Sequence, residues 1–386
     1  MKNSSSNFLY PIYLATFFFT LHYGLTLYVN STYLSQFLGE RSVDLLYSLA
    51  SLLSILALAY LPPLYNKFGQ LPIALALIGL LMAGTYFLAY AALPLAVILF
   101  FLLLYVSDMS VSYNFDLYLE KFSRDKETGY LRAIYLTVIN LAILISPFLA
   151  GQIVSRYGFQ TIYLTALGLA VPSLLVVLWK LSRVKDLAYD RVPFWRALAG
   201  IRENKNLYHI FWARFLLEFF YAWMIIYTPV YLTRYIGFSW QEIGIIFPIM
   251  LLPFVLLELP LGKLADKYWG EKEILTAGFF IISIFTAALA FVTVKEIYVW
   301  AGLLFLTRVG ASMIEIMTES YFYKHVSARN TNAISFFKDS RPLAFLIAPL
   351  LGSFFLSFAS YQTIYLILAF ITLTGLYHTK IIEDTK

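Results

Sequence analysis

About twelve runs of some twenty apolar residues, separated by short polar stretches, limit what this 386-residue chain can become. They fall at 8–28, 43–62, 72–92, 94–115, 132–154 and 161–180, then at 207–230, 242–261, 274–294, 297–321, 333–356 and 361–379. A run of that length crosses the hydrocarbon layer as a helix, whereas a barrel strand needs about ten residues and alternates. Only 13% of residues are charged and 61% are hydrophobic, so polar groups are too few to cover a surface and the solvent is lipid. The expectation is an all-α polytopic membrane protein with about 12 transmembrane helices. Lys2 and the first run mimic a signal peptide. That run is long and no small-residue cleavage site follows, so it reads as the first helix. Cysteine is absent, which excludes disulfides and thiolate metal sites.

The chain also repeats itself once. Pro147-Phe148-Leu149-Ala150 and Gln160-Thr161-Ile162-Tyr163-Leu164 recur as Pro349-Leu350-Leu351-Gly352 and Gln362-Thr363-Ile364-Tyr365-Leu366. Tyr33-Leu34 recurs as Tyr231-Leu232, and Tyr118 and Lys121 recur as Tyr321 and Lys324. Matching pieces in one order at nearly one offset mean two copies of a structural unit. The organisation expected is a six-helix bundle at 1–180, a basic cytoplasmic linker at 181–206 lying on anionic headgroups, and a second six-helix bundle at 207–386.

Lysine and arginine set the orientation. With both termini in the cytoplasm, the outside loops hold Arg41, Arg156, Arg234 and Lys295; Arg214 and Arg308 lie within spans. All other members of the 28 fall inside. The net charge of +6 is therefore a topology signal in a cell-membrane protein, and no nucleic-acid partner is expected.

Pro260-Leu261-Gly262-Lys263-Leu264-Ala265-Asp266-Lys267, with Gly270-Glu271-Lys272 after it, stands where the eighth helix meets its cytoplasmic loop. It resembles the loop motif of the major facilitator superfamily, and with the duplicated halves the resemblance covers the whole chain. The first copy, Pro62-Pro63-Leu64-Tyr65-Asn66-Lys67-Phe68-Gly69, lacks the acid and the first glycine. The resemblance implies a cytoplasmic gating latch of Gly262, Asp266, Lys267 and Gly270, with Gly262 allowing close helix approach. Asp116 and Glu319, near equivalent ends of helices four and ten, are candidate partners of the loop lysines, and Glu258 belongs with them. Ser146-Pro147-Phe148-Leu149-Ala150-Gly151 is similar to a loose form of the superfamily's antiporter motif. A proline bend at a close helix contact explains it equally well. Arg308-Val309-Gly310-Ala311-Ser312 resembles an arginine motif that the family carries in helix four, where this chain has Tyr105.

Ionisable groups within spans are costly and normally face an aqueous cavity. Five qualify: Asp108, Arg214, Glu218, Arg308 and Glu315. They lie on helices four, seven and ten, which with helix one line the central cavity in the superfamily. Arg214 and Glu218 share a helix face and can pair. Arg308 and Glu315 need partners on other helices, and Asp108 is a candidate for Arg308. Static interhelical pairing is the structural alternative for all five. Two cations against three acids leave one carboxylate able to carry a proton, with Glu315 or Asp108 first and Glu218 next. His22, Tyr23, Asn30, Tyr113 and Asn114 are candidate polar lining residues. No metal is expected at His22, because nothing clusters with it in sequence.

These features predict a monomeric secondary transporter that moves a small organic solute by alternating access with proton coupling. Export is favoured by the antiporter-like segment, and import by symport or uniport is the alternative. No phosphate-binding loop, metal-ligand spacing or nucleophile–base spacing occurs, so neither a cofactor nor catalysis is expected. A lipid-modifying membrane enzyme is the reading from another class, and a non-transporting sensor a third.

Overall fold

A computed structural model describes residues 3–122, 128–183, 204–265, 269–326, 337 and 339–383. All regular structure among the described residues is helical. The chain divides into two compact units, Met1–Arg191 and Val192–Lys386. In the first unit the helices are α1 (Asn3–Leu27), the short α2 (Asn30–Leu34), α3 (Glu40–Phe68), α4 (Gln70–Tyr90), α5 (Pro94–Phe122) and α6 (Thr128–Trp179). In the second they are α7 (Lys205–Val230) with a π-helical turn (Tyr231–Ile236), α8 (Trp240–Leu264), α9 (Glu271–Leu289), α10 (Ile297–His325), α11 (Ser340–Leu356), α12 (Tyr361–Leu373) and the short α13 (Gly375–Ile381).

Ten helices among the described residues are long and apolar enough to cross a membrane. One of them, Ile134–Trp179, is 46 residues long and bends at Gly158, so it accounts for two of the expected runs. The shorter apolar helix Ser340–Leu356 stands at the eleventh. The molecule is thus the all-α polytopic protein that the apolar runs predict.

Helix boundaries follow local chemistry. Ser239 and Glu242 form a reciprocal capping box at α8. The Asn204 side chain accepts from the N–H groups of Asn206 and Leu207 at 3.1 Å, and so starts α7. The α3–α4 and α8–α9 junctions each turn on one glycine, Gly69 (φ 87°, ψ 154°) and Gly270 (φ 82°, ψ 171°). A side chain is strained in that backbone region, so both copies of the repeat keep glycine there. Within spans, hydroxyls such as Ser54, Thr85, Ser110 and Ser283 donate to the carbonyl four residues back, which satisfies them without water.

The two units use one packing scheme. In the first, α1 packs on α6, α4 on α5 and α6, and α3 on α5. In the second, α7 packs on α11 and α12, α9 on α10 and α12, and α8 on α10. The repeated tyrosines occupy equivalent places. Tyr163 donates to Asn30 Oδ1 at 2.7 Å, and Tyr365 donates to Thr228 Oγ1 at 3.3 Å. The Tyr33 and Tyr163 rings meet edge-on at 4.9 Å, and those of Tyr231 and Tyr365 at 5.5 Å.

Small residues set the closest helix contacts. A Cβ on Gly310 would stand 2.6 Å from the backbone N of Ile282, so α9 and α10 touch through glycine. Gly24 lies against Ser146, and Gly352 against Tyr227. The expectation of a close approach at Gly262 is corrected: among the described residues nothing lies within 4 Å of where its Cβ would be. The contact that the motif suggested is made one helix further on, at Gly278 and Gly310.

Burial is graded. The apolar window of α7 is 94% buried, against 33% for α4 and α6. Exposed Tyr90, Trp179 and Tyr298 stand at helix ends and Tyr157 at the Gly158 bend, where amphipathic rings suit the headgroup layer.

Candidate functional site

Helix α7 brings Arg214 and Glu218 onto one face, one turn apart, with Nη2 2.8 Å from Glu218 Oε1. From α10, Glu315 and Glu319 reach the same guanidinium at 3.4 and 3.6 Å. Tyr221, on the next turn of α7, donates its hydroxyl to Glu315 Oε2 at 2.8 Å. One arginine therefore faces three carboxylates. Glu315 and Glu319 are themselves one turn apart, a repulsive spacing for like charges. Fully ionised, the group would carry two uncompensated negative charges; each proton taken up lowers that surplus by one. Glu218 is 2% exposed, and its Oε2 has no hydrogen-bond partner among the described residues.

One sequence expectation changes here. Glu319, assigned to the loop lysines, instead faces Arg214, because its position on α10 points along the helix toward α7. Arg308 lies on the same helix, 1% exposed, with its guanidinium carbon 4.9 Å from the Phe220 ring centre and 6.0 Å from that of Tyr221. Its hydrogen bond goes to Thr307 Oγ1 at 3.4 Å.

In the first unit, Asp108 on α5 meets His22 on α1, with Oδ1 and Nε2 3.5 Å apart. The isolation expected of His22 is thus corrected: the two helices pack together and bring it to an acid. The other ring nitrogen, Nδ1, is 2.9 Å from Ala166 O on α6. A carbonyl only accepts, so Nδ1 carries a hydrogen. Two lone pairs would then oppose each other across the 3.5 Å gap unless a proton sits there.

The remaining candidates scatter. Asn114 donates to the Tyr65 hydroxyl at 3.1 Å and accepts from Gln70 at 3.3 Å, tying α3, α4 and α5 together. Asn30 serves Tyr163, as above. Tyr23, Tyr113 and Asp116 are partly exposed on α1 and α5. Asp266 and Lys267 of the latch lie outside the described residues, as does the Glu258 side chain; Gly270 is the α9 cap.

Sequence reading missed Tyr221, whose signal was its place one turn beyond Arg214 and Glu218. It also missed the pairing of His209 with His378, whose Nδ1 atoms lie 2.9 Å apart across α7 and α13. No group of three or more metal-ligating side chains occurs among the described residues.

No curated protein sequence matches the chain closely enough to serve as a relative. The family model described as Major Facilitator Superfamily matches residues 12–337 and again 210–381, so both copies of the repeat are covered. With the paired six-span pattern and the shared packing scheme, that match is decisive: the chain belongs to the Major Facilitator Superfamily.

Proposed function

We infer that this multi-pass membrane protein, a secondary transporter by family, exports a small organic solute in exchange for protons by alternating access. It works as a monomer in the cell membrane with both termini in the cytoplasm, as the lysine and arginine bias supports. The observation that carries the proton coupling is Arg214 facing Glu218, Glu315 and Glu319. One guanidinium offsets one of three negative charges, and proton uptake supplies further compensation in a medium that tolerates neither surplus. Glu315 is the proton carrier of choice, because it is the better exposed partner and Tyr221 holds it in place. The His22–Asp108 pair is a second place where a proton resides. Export is supported by the Ser146–Gly151 segment alone.

Reconstituted protein, assayed with a panel of labelled organic solutes with and without an imposed pH gradient, tests this. Glu315→Gln or Asp108→Asn is expected to abolish gradient-driven movement while solute exchange partly survives. Unchanged pH dependence in both variants would remove proton coupling.

A further inference from the structure

Two arginines of the second unit, Arg214 and Arg308, lie well inside long spans, and among the described residues of that unit only Arg214 has carboxylate partners. Arg214 has three carboxylates, whereas no carboxylate among the described residues of that unit lies within 4 Å of Arg308. Asp108, the partner that the sequence suggests for Arg308, is engaged by His22. Guanidinium remains charged at any physiological pH, so Arg308 cannot escape by losing a proton. Two rings lie beside it: its guanidinium carbon is 4.9 Å from the Phe220 ring centre and 6.0 Å from that of Tyr221. Its N–H edge makes one hydrogen bond, to Thr307 Oγ1. A buried charge beside two aromatic rings, with an underused set of N–H donors, suits a planar or tetrahedral oxyanion.

We propose that Arg308 binds the anionic group of the solute, a carboxylate, sulfonate or phosphate, with Phe220 and Tyr221 flanking its organic part. The proposal rests on the transporter reading only in treating that anion as cargo. Tyr221 joins this site to the proton site, since the ring that faces Arg308 carries the hydroxyl held by Glu315. Export of an anion is also assisted by an inside-negative membrane potential.

The test is thermal unfolding of the purified full chain in detergent, at neutral pH, with sodium benzoate, its neutral counterpart benzamide, or sodium chloride at matched concentration. Benzoate is expected to raise the unfolding temperature by a few degrees and benzamide to leave it unchanged. The shift should vanish in Arg308→Gln and shrink in Arg308→Lys. Without ligand, Arg308→Gln should unfold no earlier than the parent, because it removes an uncompensated charge. A benzoate shift that persists in Arg308→Gln, no benzoate shift in the parent, or an equal and Arg308-dependent shift with chloride would each overturn the proposal. So would early unfolding of ligand-free Arg308→Gln together with an undiminished benzoate shift in Arg308→Lys. No pH gradient enters this assay, so its outcome is independent of proton coupling; loss of gradient-driven transport in liposomes with an intact benzoate shift would sink the coupling and spare Arg308.

Discussion

The ionic groups of the two units differ more than the helices that carry them. In the first unit, one acid meets one histidine, and no further charged partner is recorded for the pair among the described residues. In the second, one arginine meets three acids and the surplus is negative. The tyrosine contacts nearby are the same in both copies: Tyr163 with Asn30, Tyr365 with Thr228. Duplication therefore kept the scaffold and let the charges diverge. Asp116 and Glu319 occupy corresponding places near the ends of α5 and α10, yet Arg308 corresponds to Tyr105, whose hydroxyl lies 3.2 Å from Ser51 Oγ. Chemistry particular to this transporter is to be sought where the copies disagree.

The largest effect should come from removing the hub of the second unit. Arg214→Gln leaves three carboxylates facing one another and should cost about 3–5 kcal/mol in detergent unfolding. Adding Glu218→Gln to it should recover part of that loss, because one repulsive charge goes too. Asp108→Asn should cost far less, since an amide can still meet His22 Nε2. Equal losses in the two units would erase the distinction between a surplus and a balanced pair.

A smaller contrast lies in the backbone. Gly39 and Gly237 are corresponding positions of the repeat, each just ahead of the following long helix. Gly39 has φ −64°, which any residue adopts, while Gly237 has φ 84° and ψ 25°. No atom lies within 4 Å of a Cβ built at either place among the described residues, so only the backbone differs. Gly237→Ala should destabilise by about 1–2 kcal/mol and Gly39→Ala should be nearly silent. Matching unfolding temperatures for the two variants would mean that the left-handed turn at Gly237 is not maintained in solution.

Spans, duplication and the identity of the intramembrane charges were all legible in the sequence, because length, order and residue type carry them. Pairing was not. In a soluble helix an apolar stripe marks which face is buried. In α10 apolar residues cover both the packed side and the lipid side, so nothing in the sequence fixes its rotation. That is why Glu319 could be assigned to the loop lysines while its side chain faces Arg214, and why Tyr221 passed as one tyrosine among 30. The i,i+4 pair of Arg214 and Glu218 was legible because both residues share one helix and need no such phase. Gly262 differs in another way: a motif supplied its role, and among the described residues no atom stands near its Cβ position.

The smallest contrast separates the two tyrosine contacts that the copies share. Tyr163 gives Asn30 Oδ1 a 2.7 Å hydrogen bond where Asn30 is 8% exposed, so Tyr163→Phe leaves a buried amide oxygen without that donor. The expected cost is about 1–3 kcal/mol, the penalty of an unsatisfied buried acceptor. Tyr365 reaches Thr228 at 3.3 Å, and the threonine hydroxyl already donates to Met224 Sδ at 3.4 Å. Tyr365→Phe therefore strands only a hydroxyl lone pair, for about 0.5–1.5 kcal/mol. Both rings stay in edge-on contact with Tyr33 or Tyr231, so packing is held constant and the difference isolates the hydroxyl. Paired unfolding measurements should rank Tyr163→Phe as the more damaging. The reverse order would mean that Asn30 finds another donor, which would return it to the pool of polar groups available to a solute.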